Sequence, residues 1–172
     1  GGVLMGEDAA GRMIGGFSVD DATFNGRTDD ASRKPVSIAA ERIEASALEV
    51  RWLDLPGEEI PLDDNSVDTV VLTYPLCSIA GWEQALGQMR RVLKPGGRLL
   101  FSEHGESPDE SVRTWQHRIN PVWKRVAGGC HITRRIPDLI QQGGFTIDQL
   151  DQGYLPGPKI GAYHYWGSAD PR

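Results

Sequence analysis

A length of 172 residues with 39% hydrophobic content suits one globular domain, residues 1-172, with a sizeable buried core. A net charge of −6 argues against a duplex nucleic acid as partner, because phosphate binding needs a concentrated basic surface. No apolar run approaches the roughly 20 residues that cross a bilayer. The two cysteines, Cys77 and Cys130, lie outside any Cys-x-x-Cys pair and build no disulfide framework, which points to a reducing cytoplasm.

The elements come in chain order as follows. Val3-Leu4-Met5 is expected as a short strand and Thr23-Phe24 as a fragment of a second. Val36, Ala39, Ala40, Ile43 and Ala47 recur at helical spacing, with Ser32 as cap and Pro35 in the first turn. Residues 48–53 alternate as a strand, and Pro56-Gly57 opens a loop. A polar turn at 63–68 leads into the apolar strand 69–74, then a helix from about Trp82 to Leu93. That helix stops at Lys94-Pro95-Gly96-Gly97, and a second apolar strand follows at 98–101. Strand, amphipathic helix, Pro-Gly-Gly stop and strand make a β-α-β unit of a parallel sheet. Ser107-Pro108-Asp109-Glu110 predicts a helix start. Val112, Trp115, Ile119, Val122, Trp123 and Val126 are expected as its apolar face, with Pro121 kinking or dividing it. A helix over 133–142, closed by Gly143-Gly144, precedes strands at 145–150 and 162–167. The order predicts an α/β three-layer fold.

The 63–101 unit resembles the class I S-adenosylmethionine (SAM)-dependent methyltransferases, where D-x-S-x-D-x-V and R-x-L-K-P-G-G-x-L mark the fourth and fifth strands. The resemblance implies a Rossmann-like, mostly parallel sheet with an antiparallel last strand, and SAM as cofactor. Such a ligand sits beyond the C-terminal ends of the strands. The family's first loop is roughly V-L-D-x-G-x-G-x-G. Here Val3, Leu4 and Gly11 match, Glu7 and Ala9 replace the first two glycines, and Met5 replaces the acid. The first β-α unit, 1-28, is therefore expected to be atypical or truncated, as the start without an initiator Met also implies. Asp30-Ala31-Ser32 resembles the family's D-P-S, which assigns Asp30 to the ribose hydroxyls; capping of the next helix by Asp29 and Asp30 stays open. Gly57 and Glu58 fall in the adenine-contacting stretch. Pro56 replaces the acid often found there, and Asp54 is its nearest substitute. Tyr74 follows the fourth strand, where an aromatic face suits the sulfonium; a core tyrosine is the alternative.

Downstream, Glu103-His104-Gly105, Trp115 to Trp123, and Gly128-Gly129-Cys130-His131 resemble a subgroup described as type 11 or phospholipid-methyltransferase-like, which includes mammalian thiol methyltransferases. Tyr154 to Pro158 and Tyr163 to Gly167 extend the likeness. Trp115, His117, Trp123 and His131 are expected to form an aromatic substrate pocket, the two tryptophans sharing a helix face eight residues apart; core packing of each is the alternative. His104 is the candidate catalytic acid/base, ending a strand on the cofactor side; a pocket histidine that only hydrogen-bonds its neighbours is the alternative. Cys77 reads as a small buried hydrophobe. Cys130 and His131 lack metal-ligand spacing with His104 or His117, so no metal is expected. The expectation is a cytoplasmic methyltransferase for a small, amphipathic or lipid-like acceptor. Its rival is a methyltransferase-like binding module, or a truncated fragment, without a working SAM loop. Gly11 to Gly16 does not supply the Gly-x-Gly-x-x-Gly of a nicotinamide-dependent oxidoreductase.

Overall fold

The computed structural model describes strand backbone at residues 2–7, 13–16 and 50–52, and the chain with its side chains over 58–172. Seven strands form one sheet: β1 (Gly2–Glu7), β2 (Met13–Gly16), β3 (Val50–Trp52), β4 (Val67–Thr73), β5 (Leu93–His104), β6 (Phe145–Tyr154) and β7 (Tyr163–Pro171). Their spatial order is β3-β2-β1-β4-β5-β7-β6. Helices α1 (Trp82–Val92), α2 (Glu110–Val126), α3 (Ile136–Gln142) and the single turn α4 (Lys159–Ala162) follow in chain order. Among the described residues, no helix is long and apolar enough to cross a membrane.

The β4-α1-β5 unit forms as its pattern predicts. Val70 and Leu72 put one face of β4 into the core, and Leu99 and Phe101 continue it on β5, paired in parallel with β4. Ala85, Leu86, Met89 and Val92 give α1 one buried stripe at helical spacing. Arg91 fastens the preceding loop to α1 by donating to the carbonyls of Leu62 and Ile60 and to Asp64 Oδ1, each at 2.7 Å. The two glycines after the helix have separate reasons. Gly96 adopts φ +81°, and a Cβ on Gly97 would stand 2.8 Å from the Asp68 carbonyl oxygen. α3 packs its Ile136 and Ile140 into the same core, which Phe145, Tyr163, Tyr165 and Ala169 close.

β7 runs antiparallel to both β5 and β6, as the resemblance implies. The first strand departs from it. β1 is antiparallel to β4, with Gly2 opposite Thr73 and Met5 opposite Val70, and it pairs antiparallel with β2. Connection length is the physical reason: residues 8–12 are too few for a crossover helix between parallel strands, which takes a dozen or more residues. The second strand falls at 13–16, well before Thr23-Phe24. The expected helix over 35–47 and the residues 17–49 lie outside the described residues.

α2 corrects two expectations. Of the two expectations for Pro121, division fails: the helix runs unbroken from Glu110 to Val126 with Pro121 inside it. The buried stripe is also displaced. Gln116 is fully buried, Val112, Ile119 and Trp123 are half-buried, and Trp115, Val122 and Val126 are exposed. Eight residues advance a helix by about 800°, roughly 80° from two whole turns, so Trp115 and Trp123 occupy different faces.

Candidate active site

The edge of the sheet formed by the C-terminal ends of β4 and β5 gathers the chemistry. Tyr74 leaves β4 in the left-handed region at φ 61°, an uncommon conformation for a residue with a bulky side chain. Its N–H still donates to the Ser102 carbonyl at 3.1 Å, while its ring turns out and remains 40% exposed. The ring stands edge-on to His104 at 5.8 Å and to His164 at 5.7 Å, and the two imidazoles lie 6.0 Å apart. His164 fixes its ring by an Nδ1 contact of 2.8 Å to the Ala162 carbonyl, with Nδ1–H the donor.

Beneath Tyr74 a buried web holds the next turn in place. The fully buried Glu103 accepts from Leu76 N–H at 3.0 Å through Oε1, and its Oε2 has no partner. Burial, then the neighbouring Cys77, push the Glu103 carboxyl well above the usual carboxylate range. Arg134 donates to the carbonyls of Leu76 and Ile79, the latter at 2.8 Å. His131 N–H donates to the Cys77 carbonyl at 2.7 Å, which ties the loop after α2 to the turn after β4.

These ties bring two cysteines to His104. His104 Nε2 lies 2.9 Å from Cys130 Sγ, and Cys77 Sγ donates to the Tyr74 carbonyl at 3.2 Å. A hydrogen bond to Cys130, reinforced by burial, pushes the Cys77 thiol up to about 12. The contact with Cys77 pulls the Cys130 thiol down despite burial. Burial lowers the His104 imidazole, but the hydrogen bond and charge of Cys77 and the charge of Glu103 outweigh it, and the net shift is upward. With Nε2 taken by Cys130, the group that can accept a proton here is the imidazole–thiol pair rather than His104 alone.

A methyltransferase-domain family profile matches residues 27–101. A thiol S-methyltransferase of Rattus norvegicus is 42% identical over 103 residues, covering 59% of this chain and 42% of the relative. A demethylmenaquinone methyltransferase of Thermus thermophilus is 31% identical over 111 residues, covering 62% of this chain and 50% of the relative. The chain thus spans half or less of the length of these two relatives. A SAM-dependent methyltransferase of Methanosarcina mazei shares the fold at TM-score 0.60 and 17% identity, covering 81% of this chain and 77% of that one. The chain thus shares the fold of SAM-dependent methyltransferases and resembles a methyltransferase domain in sequence over residues 27–101.

Tyr74 offers an open aromatic face at the end of β4, a surface that would suit a sulfonium such as that of SAM. Glu58 lies on the same edge. It packs against Gly81 at the start of α1, and its carbonyl accepts from Gln84 Nε2 at 3.1 Å. The reversed β1 takes Glu7 to the opposite end of the sheet from Thr73. Register instead sets Gly2 level with Thr73, and Gly16 level with Val3 and hence with Leu72, so the glycines reaching this edge are Gly2 of β1 and Gly15 and Gly16 of β2. Gly11, Asp30 and Gly57 lie outside the described residues, as do Asp54 and Pro56.

The expected substrate pocket is divided. Trp123 packs with Cys77, Cys130 and Ile132 beside His104. His131 is half-buried next to them, its imidazole lowered by burial and by Arg134 and Lys124. His117 is elsewhere: it meets Glu106 Oε1 at 2.7 Å in an exposed groove of about 770 Å³ that Arg113, Arg135 and Tyr165 also line. Trp115 is exposed, with the Arg118 guanidinium 5.6 Å over its ring. Glu103 and His164 fall inside stretches that carry the resemblance, but neither they nor Arg134 are given a role by the sequence. Only their positions at strand ends and in the following loops could have given one.

Proposed function

We propose that this chain binds SAM along the edge defined by Tyr74, Glu58 and the Gly15-Gly16 end of β2, and methylates a small acceptor with an ionisable S–H or O–H. The observation that carries the reading is the open ring of Tyr74 over His104 and His164. SAM supplies an electrophilic methyl group on a sulfonium, so alignment and desolvation can provide most of the rate. The chain's own part is threefold. Tyr74 orients the acceptor against the donor, Trp123 with Ile132 excludes water below, and the His104–Cys130 pair accepts the acceptor's proton at Nε2 or Sγ. The relatives' printed names, thiol S-methyltransferase and demethylmenaquinone methyltransferase, support thiols or quinol rings as the acceptor class. A small thiol suits the described geometry better, because the space beside Tyr74 is bounded by two imidazoles and Trp123. We retain one rival: the reversed β1 favours a domain that has lost its first SAM loop and only binds.

Transfer of labelled methyl from SAM to a panel of alkyl thiols and hydroquinones tests this reading. Thiol methylation, cut about a hundredfold or more by His104→Ala, is the expected result. Turnover of neither class, together with no binding of SAM, would leave the binding module.

A further inference from the structure

Cys77, His104 and Cys130 come from three separate places: the turn after β4, the end of β5, and the loop after α2. Their ligand atoms nevertheless lie within 4.8 Å of one another. Among the described residues this is the only group of three His, Cys, Asp or Glu side chains gathered so closely. We propose that the three form a site for a soft divalent cation of the zinc class, with a fourth position open to water or to a thiol.

The donor set is the first reason. Two thiolates and an imidazole select zinc-like cations over magnesium or calcium, and three protein ligands with one open position are typical of reactive rather than structural zinc. Geometry is the second. A tetrahedral site with Zn–S about 2.3 Å and Zn–N about 2.0 Å sets its ligand atoms about 3.5–3.8 Å apart. The 2.9 Å between Cys130 Sγ and His104 Nε2 needs to open by only about 0.6 Å to reach this. Rigidity is the third. Arg134 clamps the Leu76 and Ile79 carbonyls, and the His131 N–H to Cys77 carbonyl bond joins the two cysteine loops, so the ligands are held before any ion arrives.

The surroundings agree. Two thiolates neutralise a dication, which removes the cost of burying it among Trp123, Ile132 and Ile119. The buried indole N–H of Trp123 has no partner, and it lies close enough to Cys130 to favour the thiolate. Ser78 Oγ, 3.2 Å from Cys77 Sγ, can donate to that thiolate once its proton has left. Spacing could not reveal this site, because its ligands are spread along the chain with no short repeat. With the ion bound, His104 and Cys130 no longer serve as the proton acceptor, and an acceptor thiol would instead lose its proton on taking the fourth position; that step rests on the methyl-transfer reading, whereas the metal site does not.

Cobalt(II) titration of the full chain, reduced by a phosphine and stripped of metal, tests the proposal without SAM or acceptor. The expected result is saturation at one equivalent, a sulfur-to-cobalt charge-transfer band, visible bands of tetrahedral cobalt, and displacement by zinc. Cys77→Ser and Cys130→Ser should each lose most of the charge-transfer intensity, and His104→Ala should keep that band but bind at least tenfold more weakly. Thermal melts of the apo variants separate lost ligation from lost folding. A wild-type chain that takes up no cobalt overturns the site, as does an unchanged band in both serine variants. So does a chain that ignores cobalt yet closes a Cys77–Cys130 disulfide on oxidation. SAM calorimetry on the same samples keeps the two readings apart: cobalt uptake without SAM binding leaves the metal site standing and removes methyl transfer.

Discussion

Two histidine-bearing sites flank the end of β5, and they differ in almost every physical respect. His104 is packed under Tyr74 with two cysteines and a fully buried Glu103, on loops fastened by Arg134 and by the His131 backbone. His117 sits on the outer side of α2, 59% exposed, paired with Glu106 and near Arg135 in an open groove. Water and salt screen the second site, and exposed ion pairs of this kind contribute about 0–1 kcal/mol. In the first, low polarity strengthens each polar contact and makes each unpaired group costly. The difference teaches that proximity in sequence, which joined Trp115, His117, Trp123 and His131 into one pocket, says little about shared environment.

Paired substitutions give the sharpest way to break this contrast. Expected first is a split in activity. His104→Ala lowers methyl transfer by about a hundredfold or more, whereas His117→Ala changes it less than about threefold. Equal losses would merge the two sites. A stability split comes next. Trp123→Ala, which empties space beside Cys130 and Gly161, costs about 2–3 kcal/mol in denaturant melts, and Trp115→Ala less than about 0.5 kcal/mol.

A smaller effect concerns Glu103. Its folded pKa is raised, so the unfolded chain releases a proton that the folded chain keeps. Stability is therefore full below the ordinary carboxylate range and declines as pH rises toward the folded value. Glu103→Gln preserves a carbonyl for Leu76 N–H and removes this slope. The variant should melt with wild type near about pH 4 and above it near about pH 8. Parallel melting at both pH values would show that Glu103 is ionised in the fold.

The same contrast marks what the sequence made legible. The β4-α1-β5 unit was readable because its signals are local: an alternating strand, a stripe at Ala85, Leu86, Met89 and Val92, and a glycine stop with a left-handed Gly96. β1 was placed but not its direction, which the short connection 8–12 decides together with pairing to β4. The face of α2 was misjudged because an eight-residue step drifts by about 80°. At the site, Tyr74 and His104 could be named from strand ends, whereas Cys77 and Cys130 meet only through the tie between two loops. Gly11, Asp30 and Gly57, named for the cofactor, lie outside the described residues.

The central claim is that the Tyr74 edge holds the methyl donor. Calorimetric titration of the chain with SAM and S-adenosylhomocysteine, alongside Tyr74→Ala, tests it most directly. The account predicts binding of both ligands, with Tyr74→Ala weakening the sulfonium of SAM more than the neutral thioether by about 0.5–2 kcal/mol. No heat with either ligand at millimolar concentration, or equal weakening of the two, would contradict it.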